Sequence, residues 1–133
     1  MPFDFAAASK PSGDTHMPHI VIEGMPELDT FFKTYEPSVH NLPGGALKLL
    51  NIFINPEKNC LLIEAVAAEG GPPNRFLIQI LQHDKKTTVK IYPGTDPEKT
   101  PGVKKLLALV ARQFITRFEG SKYGTTNLQE YLL

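Results

Sequence analysis

The sequence predicts an α+β fold, and three observations lead to that class. Four apolar runs between Leu47 and Tyr92 alternate with a period near two residues, which is typical of strands. One segment with helical spacing precedes these runs and a longer one follows them. Turn-forming segments join neighbouring runs, which favours antiparallel pairing. We therefore expect a two-layer sandwich: a four- to five-stranded antiparallel meander with one N-terminal helix and one long C-terminal helix packed on one face.

The chain of 133 residues has the length of one domain preceded by a short arm. Residues 1–18 are rich in small, polar and turn-forming types, a composition that does not nucleate a packed core. We expect these residues to form a flexible N-terminal arm. Residues 19–133 are expected to form a single α+β domain.

The domain begins with a predicted strand and a predicted helix. Residues 19–23 (HIVIE) are rich in β-branched types and predict a short strand at an edge of the sheet, although the sequence does not indicate which edge. Pro26 suits a first helical position, and apolar residues follow it at helical spacing until Pro37 ends the helix. Residues 37–46 contain two prolines and two glycines and predict a loop.

The four apolar runs predict the meander itself. Their sequences are LKLLNIFI, CLLIEAVA, FLIQILQ and TTVKIY. Short turns are expected at residues 55–59 and 84–86, and a longer exposed loop at residues 69–75. Residues 93–102 hold three prolines and two glycines, so they are expected to carry the chain off the sheet.

The C-terminal part of the chain predicts the longest helix. Residues 103–119 (VKKLLALVARQFITRFE) place their large apolar side chains on one face and most basic ones elsewhere. Gly120 lies where a C-terminal cap is expected. The tail, NLQEYLL, predicts one more helical turn that packs back on the domain.

Alignment of the hairpins by their turns sets the register of the sheet. It places Ile54 opposite Leu61 and Ile80 opposite Val89. One face of the sheet is then almost wholly aliphatic. Such a face must be covered, and the apolar stripes of the two helices are expected to cover it.

The opposite face mixes polar and apolar rows, and uninterrupted alternation assigns Leu49 to one of its apolar rows. Setting Glu64 opposite Gln79 predicts a central polar row formed by Asn51, Glu64, Gln79 and Lys90. A solvated sheet face is usually mostly polar, so we expect this mixed face to meet another subunit, to line a ligand groove, or to receive the N-terminal arm. The residues assigned to this interface or ligand site are Asn51, Glu64, Gln79, Lys90, Phe53, Leu62, Leu81, Tyr92 and, from the neighbouring loop, Arg75.

Composition and charge narrow the range of partners. Lys plus Arg and Asp plus Glu both number 14, so the formal net charge is zero. We therefore expect neither nucleic acid nor an acidic membrane surface as a partner. The single cysteine cannot form an internal disulfide, which favours a reducing, cytoplasmic location. No apolar run approaches the roughly 20 residues that span a bilayer.

No segment of the sequence carries a strong catalytic or metal-binding motif. Cys60 and His83 fall opposite each other in the predicted register, but no third residue orients the histidine, so a buried structural cysteine is the favoured interpretation. His16 and His19 lack the fixed spacing of three or four ligands that a zinc site needs. We expect no catalytic residue, no metal site and no cofactor.

The favoured function is a non-enzymatic homodimeric interaction or regulatory module that associates through the mixed face. Apolar patches with polar insets are typical of interfaces. The alternative is a small-molecule-binding protein or modest enzyme with Glu64 and Lys90 in an apolar groove. In that alternative Glu64 would act as a base, yet the charge of Lys90 favours the ionised carboxylate and opposes the required pKa shift.

Overall fold

A computed structural model describes residues 17–132 and confirms the α+β class. Residues 1–16, which make up most of the predicted arm, and residue 133 lie outside the described residues. The elements in chain order are β1 (His19–Glu23), α1 (Leu28–Thr34), β2 (Ser38–Leu42), β3 (Gly45–Ile54), β4 (Cys60–Ala68), β5 (Asn74–His83), β6 (Lys86–Ile91), α2 (Pro101–Arg117), β7 (Lys122–Thr126) and a 3-10 helix (Gln129–Tyr131).

The strands form one antiparallel sheet in the order β2-β3-β4-β5-β6-β1-β7. The predicted meander corresponds to β3 through β6, but the predicted strand number is wrong because β2 and β7 were not recognised. β2 was assigned to a loop because Pro37 and Pro43 flank it, yet Gly44 adopts a left-handed conformation (φ +80°) that permits a tight turn into β3. The first predicted strand joins the meander at its β6 edge, as predicted, and β7 pairs with its other side.

The sheet curls around α2. This helix contacts β1, β3, β4 and β6, and a flat sheet would not bring strands so far apart in the order against one helix. Phe114 of α2 stacks on Phe31 of α1 with ring centroids 4.2 Å apart, so the two helices share the core. The prediction that the helices cover the aliphatic face is confirmed.

The predicted pairings within the two short hairpins are confirmed. Ile54 lies opposite Leu61, and Ile80 lies opposite Val89. The short turns fix this register, because turn type and loop length set which residues of a hairpin lie opposite each other. We define the inner face as the face covered by α1 and α2.

The predicted pairing of the middle strands is wrong by two residues. Glu64 lies opposite Leu77, and Gln79 lies opposite Leu62. The prediction assigned Asn74 and the residue after it to the loop because they are polar and follow two prolines, whereas both already belong to β5. A shift of two residues keeps every side chain on its predicted face, which explains why the apolar pattern did not reveal the error.

A β-bulge interrupts β3. Leu49 lies opposite Ala65, whereas Ile52 lies opposite Ile63, so β3 contains one residue more than β4 over this stretch. The bulge changes the phase of the strand, and Leu47 and Leu49 therefore point into the core on one side of it while Ile52 does so on the other. Uninterrupted alternation assigned Leu49 to the opposite face, and that prediction is wrong.

The N-terminus of α2 is held by two side chains from outside the helix. α2 begins at Pro101, two residues before the predicted start, and Oγ1 of Thr100 accepts a hydrogen bond from the backbone N of Val103 at 3.2 Å. Glu69, just beyond β4, accepts from the backbone N of Gly102 at 2.8 Å and from the hydroxyl of Thr100 at 2.5 Å. This carboxylate therefore ties the end of β4 to the positive end of the helix dipole.

The segment after α2 returns to the sheet. Gly120, predicted as a helix cap, lies two residues beyond the cap at Phe118 and adopts φ +86° in the turn before β7. The predicted last helical turn is present as the 3-10 helix, and Leu128 packs in the core before it. None of the helices in residues 17–132 is long and apolar enough to cross a membrane.

Replacement of Gly102 is expected to reveal the role of Glu69. A Cβ atom at Gly102 would lie 2.5 Å from Cδ of Glu69, so Gly102→Ala should displace the carboxylate even though alanine favours helix. We expect Glu69→Ala to lower the free energy of unfolding by about 1 kcal/mol in the natural sequence. In the Gly102→Ala background, Glu69→Ala should lower the free energy of unfolding by clearly less. Equal costs in the two backgrounds, measured by denaturant unfolding, would contradict this coupling.

Candidate functional site

The candidate site is the outer face of the sheet, which we define as the face opposite α1 and α2. The alternation of β3 through β6 places all nine predicted site residues on this face or on its continuation. These residues are Asn51, Phe53, Leu62, Glu64, Arg75, Gln79, Leu81, Lys90 and Tyr92.

The predicted polar row is divided between two rows. Asn51 lies beside Glu64 at the bulge, whereas Gln79 lies opposite Lys90 in the next row. Glu64 and Gln79 are therefore diagonal neighbours, for which a separation of roughly 7–8 Å is typical. Leu77 rather than Gln79 lies opposite Glu64, so the four polar residues do not form the single predicted row.

The exposure of the outer face changes from its centre to its β3 margin. Gln79 is 0% exposed and Leu62 is 3% exposed within the single chain. Phe53, on the neighbouring strand, is 48% exposed, and Asn51 is also exposed. The β3 margin, which we define as Asn51 and Phe53, is therefore a part of the face that a partner can reach.

Cys60 lies in the buried centre of this face and does not face His83. Its strand partner is Leu81, and Nε2 of Gln79 donates a hydrogen bond to its sulfur at 3.6 Å. His83 lies opposite Lys86 and is exposed. The predicted opposition of the thiol and the imidazole is wrong because β4 and β5 pair two residues out of the predicted register.

Lys90 is the cation nearest the centre of the outer face. Burial lowers the pKa of its ammonium, and the nearby thiol of Cys60 partly opposes that effect. The residue is half-buried.

Two further site residues lie at the ends of strands. Arg75 was predicted in a loop, but it belongs to β5 opposite Val66 and is exposed. Tyr92 follows β6, and its backbone N donates to the carbonyl of Leu77 at 2.8 Å, which extends the ladder. Its ring is half-buried. Both residues therefore border the face rather than its centre.

Tyr35 is a site residue that the sequence analysis did not identify. It follows α1, and its hydroxyl donates to the carbonyl of Leu50 at the bulge, at 2.7 Å. Burial and the negative charge of Glu64 raise the pKa of Tyr35 to about 12. Only its helical spacing was visible in the sequence, and that spacing indicates packing rather than contact with a strand.

A separate cavity of about 440 Å³ lies where the first turn of α2 meets the ends of β2 and β3 and the C-terminal segment. Leu42 and Leu47 form its apolar wall, and Lys105, Glu130 and Tyr131 also line it. Four segments distant in sequence create this cavity, so no local pattern indicates it. Nowhere in residues 17–132 do three His, Cys, Asp or Glu side chains come together as metal ligands.

Comparison with known proteins gives no match to this chain. No family model matches it, and neither a curated protein nor a solved structure does so.

Tyr35→Phe is expected to change both stability and its dependence on pH. The loss of the hydrogen bond to Leu50 should cost about 1 kcal/mol at neutral pH. The pKa of Tyr35 rises from 10.0 to about 12 on folding, so its stabilising effect is complete below pH 10 and is lost as pH rises through 12. The variant should therefore lose less stability than the natural sequence over that interval, as measured by unfolding at each pH. Parallel stability profiles would contradict this assignment.

Proposed function

We propose that the protein is a non-enzymatic interaction module that associates with a second copy of itself through the β3 margin of the outer face. The exposed ring of Phe53 carries this proposal. Within residues 17–132 the most exposed large apolar side chains are Val39 at 56%, Phe53 at 48% and Met25 at 46%. Val39 lies opposite Lys48, so Val39 and Phe53 share the outer face of neighbouring strands.

The charge of the chain is compatible with self-association. Equal numbers of acidic and basic residues leave no net charge to keep copies apart. The β3 margin itself presents the neutral pair Asn51 and Phe53. An aromatic ring beside a small polar side chain is a common arrangement at protein interfaces.

The buried centre of the face refines the sequence-based proposal. Gln79 and Leu62 are buried in the single chain, so we do not assign them a direct contact with a partner. Glu64 and Lys90 lie in different rows, on either side of β5, which weakens their assignment to one reacting position. These features support an interaction role over a catalytic one.

Phe53→Asp is expected to weaken self-association by roughly 30-fold or more, because it places a charge where the ring would be buried. Phe53 is half-exposed, so the variant should remain folded, which circular dichroism checks. Met25→Asp is the matched control, since it also replaces a large apolar side chain with Asp, at a similarly exposed site outside the sheet. Sedimentation or light scattering over a range of concentrations measures the outcome. A natural sequence that is monomeric throughout, or a Phe53→Asp variant as dimeric as the control, would refute the proposal.

A second candidate function, small-molecule binding, is favoured by the cavity at the first turn of α2. Its volume lies within the range of small-ligand sites. Lys105 provides a positive charge, and Glu69 and Glu130 provide negative charges, beside the apolar wall of Leu42 and Leu47. This combination suits a zwitterion with an apolar side chain.

Leucine is the probe for this second function. It should raise the melting temperature of the natural sequence, whereas N-acetyl-leucine amide, which lacks both charges, should not. Leu42→Trp should fill the cavity and remove the effect. No change with leucine, or an equal change with both compounds, would contradict zwitterion recognition.

A further inference from the structure

Part of β3 has no neighbouring strand on the side away from β4. β2 pairs with β3 only from Gly45 to Leu49. The hydroxyl of Tyr35 donates a hydrogen bond to the carbonyl of Leu50, the next residue of β3. Within residues 17–132 no strand pairs with this side of residues 51–54, which we call the open edge.

The hydrogen bonds of the β3–β4 hairpin show which groups of the open edge point outward. The backbone N of Asn55 donates to the carbonyl of Cys60 at 3.2 Å. Hydrogen-bonded and non-hydrogen-bonded pairs alternate along an antiparallel ladder, so Phe53 also bonds to β4. The N–H and C=O groups of Ile52 and Ile54 therefore point away from β4.

α1 does not fill this edge. It contacts β4 as well as β3, and it buries Leu28 and Phe31 in the core. A helix placed beside the edge in the plane of the sheet would contact β3 alone. α1 therefore packs against the inner face, and no strand in residues 17–132 takes the backbone groups of the open edge.

The other two edges of the sheet carry features that discourage pairing. β7 contains Lys122 and Gly124, and β2 is a short strand between Pro37 and Pro43. The open edge has the sequence NIFI, which contains no charge, no proline and no glycine. It is the least protected edge of the described sheet.

We infer that two copies of the chain pair antiparallel through their open edges, about a two-fold axis beside Phe53. This inference rests on the proposed self-association and names the contact that produces it. Ile52 of one copy lies opposite Ile54 of the partner subunit, and each of these pairs exchanges both of its backbone hydrogen bonds. Phe53 lies opposite Phe53 of the partner subunit, in the kind of pair where side chains approach most closely.

The open edge is complementary to itself, which identifies a second copy as the occupant. Its two outward-pointing residues lie symmetrically on either side of Phe53, as a two-fold axis requires. The bulge and Tyr35 end it on one side, and the turn at Asn55 ends it on the other. When two open edges pair, all of their outward-pointing backbone groups are hydrogen-bonded, so no free edge remains for a third copy and the assembly closes as a dimer.

Disulfide trapping tests this register. The background is Cys60→Ala, which removes the native thiol. Phe53→Cys should then form a disulfide-linked dimer in a glutathione redox buffer, because opposed Cα atoms in such a pair are about 4.5 Å apart, within disulfide range. Asn51→Cys in the same background is the matched control, since the two copies of residue 51 would lie roughly 14 Å apart along the strands.

The outcomes separate this inference from the proposed function. Cross-linking at residue 53 at least tenfold faster than at residue 51 supports the paired edges. Equal cross-linking at both positions, or none at either, in cysteine variants that light scattering shows to be dimeric overturns the edge pairing and leaves self-association intact. A natural sequence that is monomeric at every concentration overturns both.

Amide hydrogen exchange provides a second readout on the natural sequence. The amides of Ile52 and Ile54 should become at least tenfold more protected as concentration rises through the dimerisation range. The amide of Phe53, which already bonds to β4, is the internal control and should change little. Unprotected amides at Ile52 and Ile54 in a dimeric sample would overturn the edge pairing.

Discussion

The β-bulge between Leu49 and Ile52 is the constraint on which the arrangement of the sheet depends. It allows two stretches of β3 with different phase to place their apolar side chains against the helices. It also separates the part of β3 that pairs with β2 from the part that does not. Without the extra residue, either Leu49 or Ile52 would leave the core.

The core and the outer face are therefore linked through one strand. On the inner side, the curled sheet surrounds α2, and α1 adds Phe31 to the stack on Phe114. On the outer side, the same register leaves Phe53 exposed next to a buried centre. The rigid core holds the backbone of β3 in place, so any partner at its margin meets a largely preformed surface.

The sequence predicts the parts of this fold that depend on local pattern. Residues 19–23, the four meander strands and the long helix follow from periodicity, and the short turns fix the pairing of Ile54 with Leu61. The wider loop after β4 does not fix where β5 begins, because a shift of two residues preserves the apolar pattern. The signal available for the bulge was the change of alternation within LKLLNIFI, where Leu47 and Leu49 follow one period-2 pattern and Ile52 and Ile54 follow another. β7 carried almost no signal, since Gly124 and Lys122 have low strand propensity and its partner, β1, is distant in sequence.

The position of β1 has a consequence for the order in which the chain folds during synthesis. β1 leaves the ribosome before the other strands, yet Ile20 pairs with Val89 of β6 and with Thr126 of β7. The hairpins from β3 to β6 can form while the chain is still growing, whereas β1 must wait for both of its neighbours. A nascent chain that stalls before β6 therefore exposes β1 as an unpaired aliphatic strand. Until β6 is synthesised, β1 is the strand that a chaperone would most need to shield from aggregation.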